Sequence, residues 1–279
     1  MTNRHNVVLY PEHSNPSKEM DALNQIIKSN PKDFGALVRK GRLYDFNRDY
    51  IKAVEDYGKA FSVLSLDYTA SDLAQIMQAI ENYNKAASST AQITRLDVSD
   101  LFNFLALSLK RLNKIDDALV YYGKAISVDP TNEVPYNNRG ILLMNKGKND
   151  LALQDFNKSI ELNPSYAVPY CNRGLIKQSK DLRKEAENDF KEAIKNDRKF
   201  AEPHNNLGIL YHEDKRYKEA IKSYKTAIKL DKKYAIAYFN LGAVYSQVRA
   251  YIRSNYYIRK AYKMEPNNPQ IRNALGMKN

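Results

Sequence analysis

Residues 133–166 read EVPYNNRGILLMNKGKNDLALQDFNKSIELNPSY, and the punctuation of this stretch returns every 34 residues. Pro130 and Pro164 are followed at the same spacing by Arg198, Lys232 and Pro266. Gly140, Gly174, Gly208 and Gly242 keep that spacing, as do Ala118, Ala152, Ala186 and Ala220, and Tyr122, Phe156, Phe190 and Tyr224. A fixed period of this size, with two helix-like stretches in each period, predicts a stacked solenoid. With the glycine numbered position 8, Tyr136, Arg139, Gly140 and Leu143 take positions 4, 7, 8 and 11. At about 100° per residue they share one helical face. Gly140 lets a second helix approach closely. Ala152, Phe156 and Ser159 form the matching face of that helix. Lys146-Gly147-Lys148 is the turn, and Asn163-Pro164 ends the second helix because proline cannot continue it.

The pattern resembles the tetratricopeptide repeat family. That family's consensus places a large residue at position 4, then Leu, Gly and Tyr at 7, 8 and 11, and Ala, an aromatic and Ala at 20, 24 and 27 of its helix–turn–helix unit. Leu207, Gly208 and Tyr211, with Ala220, Tyr224 and Ala227, follow it closely. The resemblance implies an all-α right-handed superhelix, an α-solenoid of antiparallel helix pairs. Repeats are expected over 34–66, 99–132, 133–166, 167–200, 201–234 and 235–268. Residues 1–16 read as an irregular N-terminal segment, 17–33 as a degenerate half repeat and 269–279 as a capping helix. Segment 67–98 has no glycine; it reads as a degenerate repeat, or as one long helix near 71–88 followed by a loop. The last repeat departs from the consensus with Ser254 and Ile258 in place of Ala and an aromatic.

One cysteine, Cys171, leaves no disulfide to form within the chain. There is no signal-like apolar run at the N-terminus, and no stretch of about eighteen apolar residues elsewhere. A cytoplasmic location, with possible cytoskeletal or ciliary association, is the expectation. The net charge of +12 is concentrated late: from Asp197 onward 17 Lys and Arg stand against 7 Asp and Glu.

No catalytic constellation emerges, and no cofactor or metal motif is present. His5 and His13 lie in the irregular N-terminus. His204 takes packing position 4, and His212 is too far along the same helix to share a metal with it. The chain therefore reads as non-enzymatic.

Asn138, Asn172, Asn206 and Asn240 all occupy position 6, and Asn137 and Asn205 precede two of them. Helical geometry puts position 6 about 150° from the centre of the core stripe. Stacked repeats are thus expected to present a row of exposed amides, each with two donors and an acceptor, suited to a peptide backbone. The arrangement is similar to the asparagine ladder in the superhelical repeat domain of O-linked N-acetylglucosamine transferase, where first helices line the concave face and hold an extended peptide. That enzyme's catalytic part has no counterpart here. The ladder would stop at Arg39 and Phe104, its equivalents in earlier repeats. The alternative is that the amides bond to neighbouring repeats or to water. Ile141, Leu175 and Ile209 at position 9 could form apolar pockets or pack against the next repeat. A carboxylate clamp is not supported, because Val134, Val168 and Glu202 stand where its lysines would be.

Lys218, Lys222, Lys225 and Lys229 form a basic stripe on one face of a second helix. This is either a solvated face or a docking surface for tubulin, an anionic membrane or an acidic protein. Nucleic acid ranks behind these. The expected function is a protein-interaction scaffold that holds an extended partner segment in its groove. The competing reading is a structural subunit of a large assembly, docked through the basic surface.

Overall fold

The computed structural model describes residues 15–67, 72–87 and 92–277. The described residues are helical, with no strand among them. They divide into two compact units, Met1–Leu162 and Asn163–Asn279.

The first unit contains α1 (Pro16–Ser29), α2 (Phe34–Phe46), α3 (Tyr50–Val63), α4 (Leu73–Ala86), α5 (Arg95–Arg111), α6 (Ile115–Val128), α7 (Glu133–Asn145) and α8 (Asn149–Leu162). The second contains α9 (Ala167–Ser179), α10 (Arg183–Asn196), α11 (Ala201–Glu213), α12 (Tyr217–Leu230), α13 (Ala235–Gln247), α14 (Tyr251–Met264) and α15 (Pro269–Ala274). Six helix pairs follow one plan: α2/α3, α5/α6, α7/α8, α9/α10, α11/α12 and α13/α14. The α-solenoid of helix pairs expected from the period is what forms.

The turn inside each pair is built at position 15. Arg48, Asn113, Gly147, Asp181, Lys215 and Arg249 occupy it, and all have φ between 58° and 72°. Only one of the six is glycine, so five turns hold an L-residue in the left-handed region.

The position-8 glycines are explained by their distance to the second helix. A Cβ on Gly140 would lie 2.7 Å from the Phe156 ring, on Gly174 2.7 Å from Phe190, and on Gly208 2.5 Å from Tyr224. Gly242 meets Ile258 instead, at 2.6 Å, so the isoleucine of the divergent repeat fills the aromatic's place. Phe156, Phe190 and Tyr224 are buried with Ala152, Ala186 and Ala220 beneath them. Burying each ring contributes on the order of 1.5–3 kcal/mol.

Among its described residues, segment 67–98 holds α4, which places Ile76 and Ile80 in the core of the first unit, and the first turn of α5. After it, Asn84 clamps the chain: its Nδ2 donates to the Ile93 carbonyl at 2.7 Å, and the Ile93 N–H donates to its Oδ1 at 2.8 Å. Residues 88–91 of the expected loop lie outside the described residues. Helix α5 begins at Arg95, four residues before the repeat frame, because Thr94 and Asp97 form a reciprocal capping box. Leu23 of α1 packs with Ala36 and Leu43, and Ile271 of α15 packs with Tyr238 and Ile258. His5 and His13 lie outside the described residues.

Candidate functional site

The position-6 asparagines are not an exposed row, which corrects the expectation of exposed amides on the stacked repeats. Asn206 and Asn172 are buried, and so are Asn205 and Asn137 beside them; Asn138 and Asn240 are half-buried. The reason is that consecutive first helices lie side by side, so the face turned away from one pair's core meets the next pair. Position 6 then reaches back to position 5 of the preceding repeat. In the first unit Asn138 Nδ2 donates to Asn103 Oδ1 at 2.9 Å, and Asn137 Nδ2 donates to Asn138 Oδ1 at 3.3 Å. In the second, Asn240 Nδ2 donates to Asn205 Oδ1 at 3.0 Å and Asn206 Nδ2 to Cys171 Sγ at 3.4 Å. Neither Asn206 nor Asn240 has a polar atom sealed off without a partner. Leu175 and Ile209 pack against the core of the second unit rather than opening pockets.

A second device was hidden in the stripe. Arg139, counted above as a core-face residue, forms a two-point pair with Asp155: Nε to Oδ2 at 2.8 Å and Nη2 to Oδ1 at 2.7 Å. Arg173 grips Asp189 in the same way, at 2.9 and 2.7 Å. These are positions 7 and 23 of two repeats. At the same positions the 201–234 repeat carries Leu207 and Ser223. The signal legible in sequence was the joint appearance of Arg and Asp 16 residues apart in both repeats.

On the first-helix side of the first unit, charge replaces amides. Arg42 lies 5.0 Å over the Phe104 ring. Asp45 accepts from Tyr57 and Ser108, both at 2.6 Å, which ties α2 to α3 and α5. Burial holds the Asp45 carboxyl above its ordinary range. Asp100 accepts from Asn132 Nδ2 at 2.8 Å. Burial outweighs that bond and raises its pKa from 3.8 to about 6. The folded state thus keeps a proton there that the unfolded chain has already lost. This costs nothing below about pH 4, and the penalty grows as pH rises through about 6. Asp100→Asn is expected to stabilise the first unit at pH 7.5, on the order of 1–2 kcal/mol once partial solvation is allowed for. The gain should disappear at pH 4. Urea melts at the two pH values measure it, and an equal effect at both contradicts the assignment.

In the second unit, solvent reaches Glu202, yet the protein around it raises its carboxyl pKa. Cys171 is a buried thiol, held well above its usual range by burial, with Glu202 adding to the shift. A low-pKa reactive thiol is excluded by this environment. His204 and His212 are half-buried, and burial lowers both pKa values. His212 meets the Tyr217 ring edge-on at 5.9 Å. Among the described residues no group of three His, Cys, Asp or Glu could hold a metal, and no helix is long and apolar enough to cross a membrane. Lys218, Lys222, Lys225 and Lys229 are all exposed on α12.

Tetratricopeptide repeat profiles match residues 34–63, 99–132 and 167–200, 134–166 and 190–222, and a TPR repeat profile matches 210–248. Tetratricopeptide repeat protein 21B of Xenopus laevis is 28% identical over 119 residues, 42% of this chain and only 9% of that protein. Among solved structures, the APC/C hetero-tetramer Cut9–Hcn1 matches with a TM-score of 0.74 at 17% identity, over 94% of this chain and 46% of that one. Pseudomonas aeruginosa pilF matches with a TM-score of 0.63 at 15% identity, over 95% and 100%. YrrB, described as a TPR protein with an unusual peptide-binding site, matches with a TM-score of 0.50 at 18% identity, over 74% and 100%. The likeness of these structures is one of fold. The profile matches together span more than half of the chain, and the chain belongs to the tetratricopeptide repeat family.

Proposed function

We propose that this protein-interaction scaffold holds an extended partner segment along the first-helix face of the second unit, where α9, α11 and α13 carry Asn172, Asn206 and Asn240. The observation that carries the reading is the inter-repeat bonding of the asparagines. The bond from Asn240 to Asn205, and that from Asn206 to Cys171, fix each amide in place before any partner arrives. An immobilised amide loses less entropy on binding than a free one, so preorganisation adds to affinity. Asn206 and Asn240 each use one donor in the stack, and a primary amide has a second donor and an oxygen besides. Two steps between first helices cover roughly 20 Å, and extended chain advances about 3.3 Å per residue. The three asparagines then match a segment of about six residues.

The test separates binding from stability. Peptides selected on the purified chain are titrated against variants. Asn240→Ala removes a half-buried amide and is expected to weaken binding about fivefold, the equivalent of roughly 1 kcal/mol, with little change in melting. Asn206→Ala, at a buried amide, is expected to lower both affinity and melting temperature. If Asn240→Ala and Asn206→Ala leave every selected peptide's affinity unchanged, the asparagines serve the stack alone.

A further inference from the structure

We propose that the outer face of the last two helix pairs, α12 and α14, docks on an anionic lipid bilayer. The proposal does not depend on the first-helix reading. Lys218, Lys222, Lys225 and Lys229 occupy positions 18, 22, 25 and 29 of their repeat. In the next repeat the same positions hold Ile252, Tyr256, Arg259 and Lys263. Equivalent positions of adjacent second helices face the same way, so the two stripes form one surface. A shared ring confirms their proximity: Lys225 lies 6.0 Å and Arg253 5.7 Å from the centre of Tyr245.

The charge on this surface is uncompensated. Helix α10 carries four basic and four acidic residues, and Lys191 and Lys195 pair with Glu187 and Glu192. Helix α12 carries four lysines against one glutamate, and that Glu219 is taken by Arg216. Helix α14 carries four basic residues and no acid. The fold does not need these charges, since the neighbouring helix pair is built without a surplus. Beside them, apolar groups stand clear of the protein. Ile252 is 90% exposed, Tyr251 64%, Tyr256 53% and Val248 40%.

Three features favour a bilayer over an acidic protein. Lysine is depleted from protein interfaces, whereas the α12 stripe is lysine throughout. Lysine lacks the planar fork that fixes a carboxylate, but a diffuse layer of lipid phosphates requires no fixed fork. An isoleucine tip flanked by tyrosines and ringed by cations matches the depth profile of a bilayer surface: apolar below the headgroups, tyrosine at their level, ammonium among the phosphates.

The chain contains no tryptophan, so Ile252→Trp supplies a single reporter in the full-length protein. With vesicles of phosphatidylcholine containing about a third phosphatidylserine, its emission is expected to shift to the blue and to be quenched by brominated lipid. Leu182→Trp, outside the surface, should show neither. In cosedimentation, unsubstituted protein is expected to bind anionic vesicles at least about tenfold more tightly than neutral ones. Changing Lys218, Lys222, Lys225 and Lys229 together to Gln should abolish most of that difference, and Ile252→Asp should weaken binding while melting stays unchanged. Three results would overturn the proposal: no preference for anionic vesicles, an unaltered affinity in the quadruple variant, or binding to soluble polyglutamate or RNA without binding to vesicles.

Discussion

Replacing Phe190 with alanine is expected to destabilise the second unit by about 3–5 kcal/mol, the usual cost of emptying a fully buried aromatic site. Phe190 is wholly buried, and it fills the space that Gly174 leaves open. The two residues are therefore expected to be coupled. Gly174→Ala alone drives a Cβ to 2.7 Å from the ring and should cost about 1–3 kcal/mol through overpacking. In the Phe190→Ala background the same methyl enters empty space, and alanine is the better helix former, so the substitution should become neutral or favourable. Denaturant melts of the four proteins give the coupling directly. Additive costs would show that the position-8 glycine is not there for close approach. The 99–132 repeat is the exception: Ala106 stands at position 8 opposite Tyr122, and both are fully buried.

The second large effect concerns the buried ion pair. Arg139→Ala removes the partner of Asp155, which is 5% exposed in the native pair. Breaking such a pair from one side costs about 3–5 kcal/mol when it is fully buried. Arg139 is partly solvated here, so about 2–3 kcal/mol is expected in the first unit. Changing Arg139 to Leu and Asp155 to Ser together reproduces what the 201–234 repeat does with Leu207 and Ser223. That double variant should return to within about 1 kcal/mol of the starting protein, since it leaves no charge buried without its partner. Chemical denaturation of both variants checks this. If the double variant is as damaged as Arg139→Ala, the pair is required for more than charge balance.

The repeat frame was legible because each repeat solves the same packing problem. Gly140 with Phe156 and Gly208 with Tyr224 recur at one spacing, and a ring against a missing side chain can be recognised from residue type. The position-15 turns were not legible in that way. Lys215 and Arg249 adopt left-handed conformations that nothing in their side chains announces; only register with Gly147 marks them. The start of α5 was missed because the frame was read from the repeat rather than from the Thr94–Asp97 cap. The asparagines show why a single helix wheel misleads in a solenoid. It separates inside from outside for one pair, but the side of a first helix is covered by the next repeat, as Asn206 and Cys171 show. The basic stripe was legible in full, because Lys218 to Lys229 sit on a face that no neighbour covers.

The central claim is that the first helices of the second unit carry the partner segment. Hydrogen–deuterium exchange of the full chain, with and without a selected peptide at saturation, tests it most directly. Slowed exchange concentrated in α9, α11 and α13, with α10, α12 and α14 unchanged, is the predicted result. Protection confined to α12 and α14, with the first helices unaffected, would contradict it.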